Sequence, residues 1–191
     1  MDPIVEAALR KWPHVPDCHG WLALDARGDW YMRDDRVQAA GPFPRIKGSR
    51  IDHDKLRAFI GRNYARADDG AWFFQNGPQR VWVELEAAPH VWRIAPHDLS
   101  VASHAGHAAK VLSAWIDEHA RLFLHTDIGL GLVHSQDMVD AARAVDAGLW
   151  QPEPMAFADM ASRFGHVLSP AARAGALRAG QQKAGPQAGS S

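Results

Sequence analysis

A single cysteine, Cys18, stands in the whole chain, so no intrachain disulfide can form. That suits a reducing compartment, where thiols stay reduced. No run approaches the roughly 18 uninterrupted apolar residues that a membrane helix needs. Residues Met1 to Glu6 carry neither the basic nor the apolar stretch of a secretory leader. A soluble, cytoplasmic protein with no membrane partner is therefore expected. Net charge is nearly absent too. A formal value of -1 leaves no global field to draw nucleic acid or a polyanionic substrate, so no nucleic-acid partner is expected. The chain also lacks a Gly-rich phosphate loop, a Gly-x-Ser-x-Gly elbow and a His-Glu-x-x-His run. No cofactor is implied, and no catalytic residue can be named.

What is present is length enough, at 191 residues, for one sizeable core or two small ones. A hydrophobic share of 47% against 23% charged is the balance of an ordinary globular protein. Eight tryptophans and eleven histidines are the unusual counts. Tryptophan fills cores and also dominates binding hot spots; core and edge-strand packing is the leading assignment for most of them.

Apolar positions Val5, Ala8, Leu9 and Trp12 mark a helix that ends before Pro13, and a linker follows to about residue 20. Trp21 to Leu24 and Asp29 to Arg33 read as strands around an Asp25–Gly28 turn, followed by a loop from about Gln38 to Arg50. Asp52 is placed to cap a helix bearing Leu56, Phe59 and Ile60, running to about Tyr64. Asp68-Asp69-Gly70 then turns the chain into a strand over Ala71 to Gln75. Asn76-Gly77 signals a type I′ hairpin, since that turn needs positive φ at both central residues. In the return strand Val81, Val83 and Leu85 alternate with Trp82, Glu84 and Glu86. Ile116 to His125 matches Leu24 to Arg33 without a gap, and Val133, Ser135 and a helix with Met138, Val139, Ala142 and Val145 mirror Ile51 and its helix. The match supports an internal repeat. The expected fold is α+β, antiparallel hairpins with peripheral helices, in two related strand–turn–strand–strand–helix units. These divide as a helix and linker over 1–20, one unit over 21–95, a second over 96–168 packed on the first, and a disordered tail over 169–191.

Several residues invite a chemical reading. His104 and His107 have the two-apart spacing of some metal-ligand pairs, yet no third ligand stands at a motif spacing. Cys18 and His19 are neighbours, but adjacent side chains on an extended segment point opposite ways, so they do not form a nucleophile–base pair. The paired carboxylates Asp34-Asp35, Asp68-Asp69 and Asp117-Glu118 fall at turns, where Asp bonds backbone amides. A polar group remains: Arg62, Asn63 and Tyr64 at a helix end, with Gln75, Asn76, Gln79 and Arg80 around the hairpin. Their forked donors suit a carboxylate, a phosphate or an exposed peptide backbone, and the same side chains can instead cap the helix and brace the turn.

The stretch Phe59-Ile60-Gly61-Arg62-Asn63-Tyr64, followed by Asp69-Gly70-Ala71-Trp72-Phe73-Phe74-Gln75-Asn76-Gly77-Pro78-Gln79-Arg80-Val81-Trp82-Val83, resembles the signature of an uncharacterised proteobacterial family of cytosolic proteins, a domain of unknown function. The similarity runs from about Trp12 to Gly148. It implies a bacterial origin and brings no activity, cofactor or catalytic residue. The order Gly28-Asp29-Trp30, Ile51 and its helix, Asp69-Gly70 and Val81-Trp82-Val83 is more faintly similar to a second bacterial family of unknown function, built from repeated α+β motifs with a suggested role in signal transduction. The leading expectation is a non-enzymatic module binding a small anionic ligand or a protein segment. A hydrolase-like enzyme whose site assembles from distant residues is the alternative, and a histidine-based metal-binding protein is the second. Oligomeric state is left open.

Overall fold

The computed structural model describes residues 1–183. Helix α1 (Pro3–Lys11) leads into strands β1 (Cys18–Leu24) and β2 (Trp30–Met32), helix α2 (Asp35–Ala40), β3 (Ser49–Arg50) and helix α3 (Asp54–Arg62). A meander of β4 (Tyr64–Arg66), β5 (Trp72–Asn76) and β6 (Gln79–Leu85) completes the first sheet. Its order is β3-β2-β1-β6-β5-β4, with β1 and β6 parallel and all other neighbours antiparallel.

The second sheet takes β7 (His90–Ile94), β8 (Val101–Ser103), β9 (Ala108–Ala109), β10 (Val111–Ile116), β11 (Leu122–Thr126) and β12 (Gly129–Val133). A single 3-10 turn, Ser135–Asp137, then runs into helix α4 (Met138–Asp146). After it come β13 (Pro152–Pro154), helix α5 (Phe157–Phe164) and helix α6 (Pro170–Lys183). The order here is β13-β10-β11-β12-β7-β8-β9, with β13 parallel to β10 and β7 parallel to β12. The prolines of β13 fall on an edge strand, where a missing N–H does no harm. The fold is α+β, made of two similar sheet units. Among the described residues no helix is long and apolar enough to cross a membrane.

The β1–β2 and β10–β11 turns share their hydrogen bonds. Leu24 pairs with Trp30 and Ile116 with Leu122, so each turn spans the same number of residues. Asp25 Oδ1 accepts from the backbone N–H groups of Arg27 (2.9 Å) and Asp29 (3.0 Å). Asp117 Oδ1 accepts from His119 (3.0 Å) and Arg121 (2.8 Å). Each carboxylate meets a cation with its other oxygen, Lys47 at 2.9 Å and Arg121 at 2.7 Å. The fourth turn residue is left-handed in both, Gly28 at φ 81° and Ala120 at φ 57°.

Local departures from the sequence expectations have physical causes. Within the expected loop over 38–50 the chain first completes α2, whose cap is Asp34, accepting from Val37 N–H. Arg33 then staples the remainder, donating to the carbonyls of Gly41 (2.7 Å) and Ile46 (3.2 Å). The cap of α3 is His53, whose Nδ1 accepts from Leu56 N–H, while Asp52 pairs with Arg50. In the hairpin Asn76 pairs with Gln79, so the central turn residues are Gly77 and Pro78. Gly77 alone has positive φ, 57°, the pattern of a type II′ turn. Strand β7, assigned by sequence to the unit over 21–95, pairs with β12 and β8 in the second sheet.

The tail over 169–191 was expected to be disordered, but it forms α6 to Lys183; the residues after 183 lie outside those described. A long-range cap accounts for the helix. Buried Glu84 accepts from the Ser169 hydroxyl and from Ala171 N–H (3.0 Å), and Leu85 N–H donates to Leu168 O (2.8 Å).

A left-handed non-glycine residue costs roughly 1–2 kcal/mol. Ala120→Gly is therefore expected to stabilise the protein by about 1 kcal/mol, offset in part by unfolded-chain entropy. Gly28→Ala is expected to destabilise it by more, because a Cβ there would lie 2.8 Å from His104 Cβ. Urea denaturation midpoints check both, and a shift of the same sign in the two variants would contradict the shared turn.

Candidate functional site

Most of the polar group singled out by sequence is engaged within the chain. Asn63, 1% exposed, donates to Phe59 O (3.0 Å) and accepts from Asp2 N–H (2.8 Å). Arg62 pairs with the Asp2 carboxylate, so this helix end anchors α1. Arg62 also holds the Asp2 carboxyl below its ordinary pKa. Buried Gln75 donates to Gly77 O (3.0 Å), bracing the hairpin, and Gln79 donates to Pro16 O (3.2 Å). Tyr64 donates to Pro89 O (3.0 Å), and burial raises its pKa well above 10. Asn76 is exposed. These side chains do not converge on one surface.

Arg80 is different. Its guanidinium lies over Phe73 at 4.4 Å and Trp82 at 5.3 Å, in cation–π contact with both. Its Nε is buried with no hydrogen-bond partner, and among the described residues no carboxylate lies within ion-pair reach. Strand alternation explains the placement. Phe73 opposes Trp82 and Gln75 opposes Arg80 across the hairpin, so Phe73, Trp82 and Arg80 share one face. That face floors a cleft of about 400 Å³, walled by Arg66, Asp68 and Asp69. Arg66 donates to Gly165 O (2.7 Å), and Asp69 pairs with Arg173 of α6. Arg66 escaped the sequence reading because it sits beyond the Asp68–Gly70 turn, on the edge strand β4.

The other face of β5 packs into a set of rings between the sheets. Tyr64 lies 4.7 Å from Trp72, 6.2 Å from His90 and 6.0 Å from His104. Trp72 meets His90 edge-on at 4.8 Å, and His90 stacks on Trp92 at 5.0 Å. A side chain at Gly131 would collide with the Trp92 indole at 2.4 Å, so this glycine makes room for the stack. His104 retains some exposed surface, but its Nε2 has none. His107 is exposed and does not join it around a third ligand. Among the described residues no group of three or more His, Cys, Asp or Glu side chains is placed to hold a metal ion. Cys18 gains no base either: burial pushes its thiol up, and His19 stacks on Trp82 at 5.8 Å.

Fold and site together describe an α+β protein of two similar sheet units with an arginine-and-aromatic cleft on the first. A family model described as "Protein of unknown function (DUF2946)" matches residues 1–179, and the chain belongs to that family. This is an uncharacterised family, as the Asp69–Val83 block led us to expect. No curated protein matches the chain. Two solved structures of DUF1285 family proteins are similar in fold. The one from Silicibacter pomeroyi DSS-3 is 13% identical, with 74% of this chain and 83% of that one covered at a TM-score of 0.46. The one from Shewanella baltica OS155 is 18% identical, with 64% and 91% covered at a TM-score of 0.42.

Burial holds three histidines neutral: His90 with its pKa lowered to about 4, His104 to about 3 and His166 to about 4, the last helped by Arg66. In the unfolded chain each titrates near 6.5. Above that pH the folded and unfolded states bind these protons equally. Below it only the unfolded chain takes them up, so stability falls with pH until the folded pKa is reached. Urea midpoints are expected to be level above about pH 7 and to fall between about pH 6.5 and 4, by up to about 1.4 kcal/mol per pH unit for each histidine. A level profile across that window would contradict the burial of these rings.

Proposed function

We propose that the protein is a non-enzymatic binding module of the bacterial cytoplasm, and that its cleft over Phe73 and Trp82 takes a small organic anion through Arg80 and Arg66. The supporting observation is Arg80 itself, a guanidinium lying over two rings at the floor of an open cleft. A guanidinium so placed can take a ligand carboxylate or phosphate, and its fork favours two parallel bonds. Asp69 is neutralised by Arg173, so the cleft favours an anion.

Benzoate, a carboxylate on a flat ring, and inorganic phosphate are the probes, measured by calorimetry and thermal shift. Benzoate is expected to bind the parent protein and to lose about 10-fold or more in affinity in Arg80→Ala, the worth of a charged hydrogen bond. Arg80→Lys keeps the charge without the fork and is expected to fall between them. Equal binding by parent and Arg80→Ala would refute the site. Unfolding of Arg80→Ala with a benzoate-insensitive Arg80→Lys would assign Arg80 to bracing the hairpin.

A further inference from the structure

The face of the β5–β6 hairpin opposite Arg80 borders a second cavity. Strand alternation sends Phe74 and Val81, which pair across the hairpin, to the inner face of the first sheet. There, beside α3, they join Leu22, Ile51 and Ile60 to floor a cavity of about 230 Å³. All five are buried. Trp21, Met32 and Leu56 line the same cavity but are exposed, so they stand at its mouth.

Trp21 reaches the cavity through a bulge. Neighbours on a regular strand point to opposite faces, yet Trp21 and Leu22 line one cavity. Strand β1 meets β6 at Cys18–Val81 and again at Leu22–Val83, so four steps along β1 (18 to 22) oppose two along β6 (81 to 83). Gly20 lies in the excess with φ 79°, and a Cβ there would lie 2.4 Å from the Gln38 side chain. Bulges re-aim side chains in this way and recur next to functional sites.

The lining decides what the cavity can hold. Among the described residues no charged side chain lines it, and its polar groups, Asn76, Gln79 and the Cys18 thiol among them, are neutral. An ion would lose its hydration there and gain no counter-charge. The cavity's surface is far below the roughly 800 Å² that each partner covers in a stable protein–protein interface, which sets aside a second copy. The residues after 183, Ala184 to Ser191, include no large apolar side chain to fill it. An engineered cavity of about 150 Å³ takes benzene, so this one has room for a one- or two-ring molecule. We propose that the cavity is a binding site for a small, neutral, mostly apolar molecule of that size, separate from the anion cleft on the other face of the hairpin.

The test reads the chain's single thiol, Cys18, which lines the cavity. Indole is the probe, and the readout is the rate at which N-ethylmaleimide alkylates Cys18, followed by mass spectrometry of the whole protein. Indole is expected to slow alkylation along a saturation curve, about 10-fold at ten times its half-saturating concentration. Benzoate, of similar size but charged, is expected to leave the rate unchanged. Leu56→Trp, a surface change on α3 that fills the mouth, is expected to abolish the indole effect. No saturable slowing by indole, equal slowing by benzoate, or slowing retained in Leu56→Trp overturns the proposal. Arg80 does not line this cavity, so the two sites stand or fall separately.

Discussion

The packing of Tyr64 against Trp72, His90 and His104 is the contact on which the rest of the molecule depends. Tyr64 follows directly on Asn63, the residue that closes α3 and holds α1, and its hydroxyl reaches Pro89 O where the chain enters the second sheet. Between β6 and β7 the chain passes through Ala87 and Ala88, both nearly inaccessible. These alanines pack with Phe123, Leu130, Leu132 and Met160 of the second unit and with Ala26 of the first. Edge-on rings add attraction beyond the area they bury. The cost falls on the imidazoles, which must stay neutral to remain there.

The β5–β6 hairpin connects this seam to the cleft. Side chains alternate across a strand, so Trp72 and Phe74 join the core beneath α3 while Phe73 and Trp82 form a second buried cluster on the opposite face, under Arg80. One pair of strands thus supplies buried rings to both faces, with the Arg80 guanidinium over the second set. A one-residue slip of register would exchange the two faces. The buried Gln75 bond to Gly77 O holds the hairpin end against that slip.

Much of this was legible in the residues. The alternation of Val81, Val83 and Leu85 with Trp82 places each on its observed face, and the gapless match of Ile116–His125 to Leu24–Arg33 anticipates the common turn built on Asp25 and Asp117. Local patterns carry these features, so sequence carries them. What escaped depends on distant partners. Helix α6 has no apolar stripe, and its cap, Glu84, lies far back in the chain. Strand β7 reads as a continuation of the first hairpins until β12, some forty residues on, pairs with it. The Asn and Gln side chains near the hairpin were recognised as polar, but only the fold shows that Asp2, Phe59, Gly77 and Pro16 satisfy them. Arg80 remains because the fold gives it rings and no carboxylate.

The central claim is that the ring seam makes the two sheets one cooperative body. Native-state hydrogen exchange tests it most directly, by comparing the slowest amides of β6 with those of β11 as denaturant is raised. One cooperative body predicts the same opening free energy and the same denaturant slope in both strands. Amides of one sheet that exchange through an opening of clearly lower free energy, with the other sheet still closed, would contradict it.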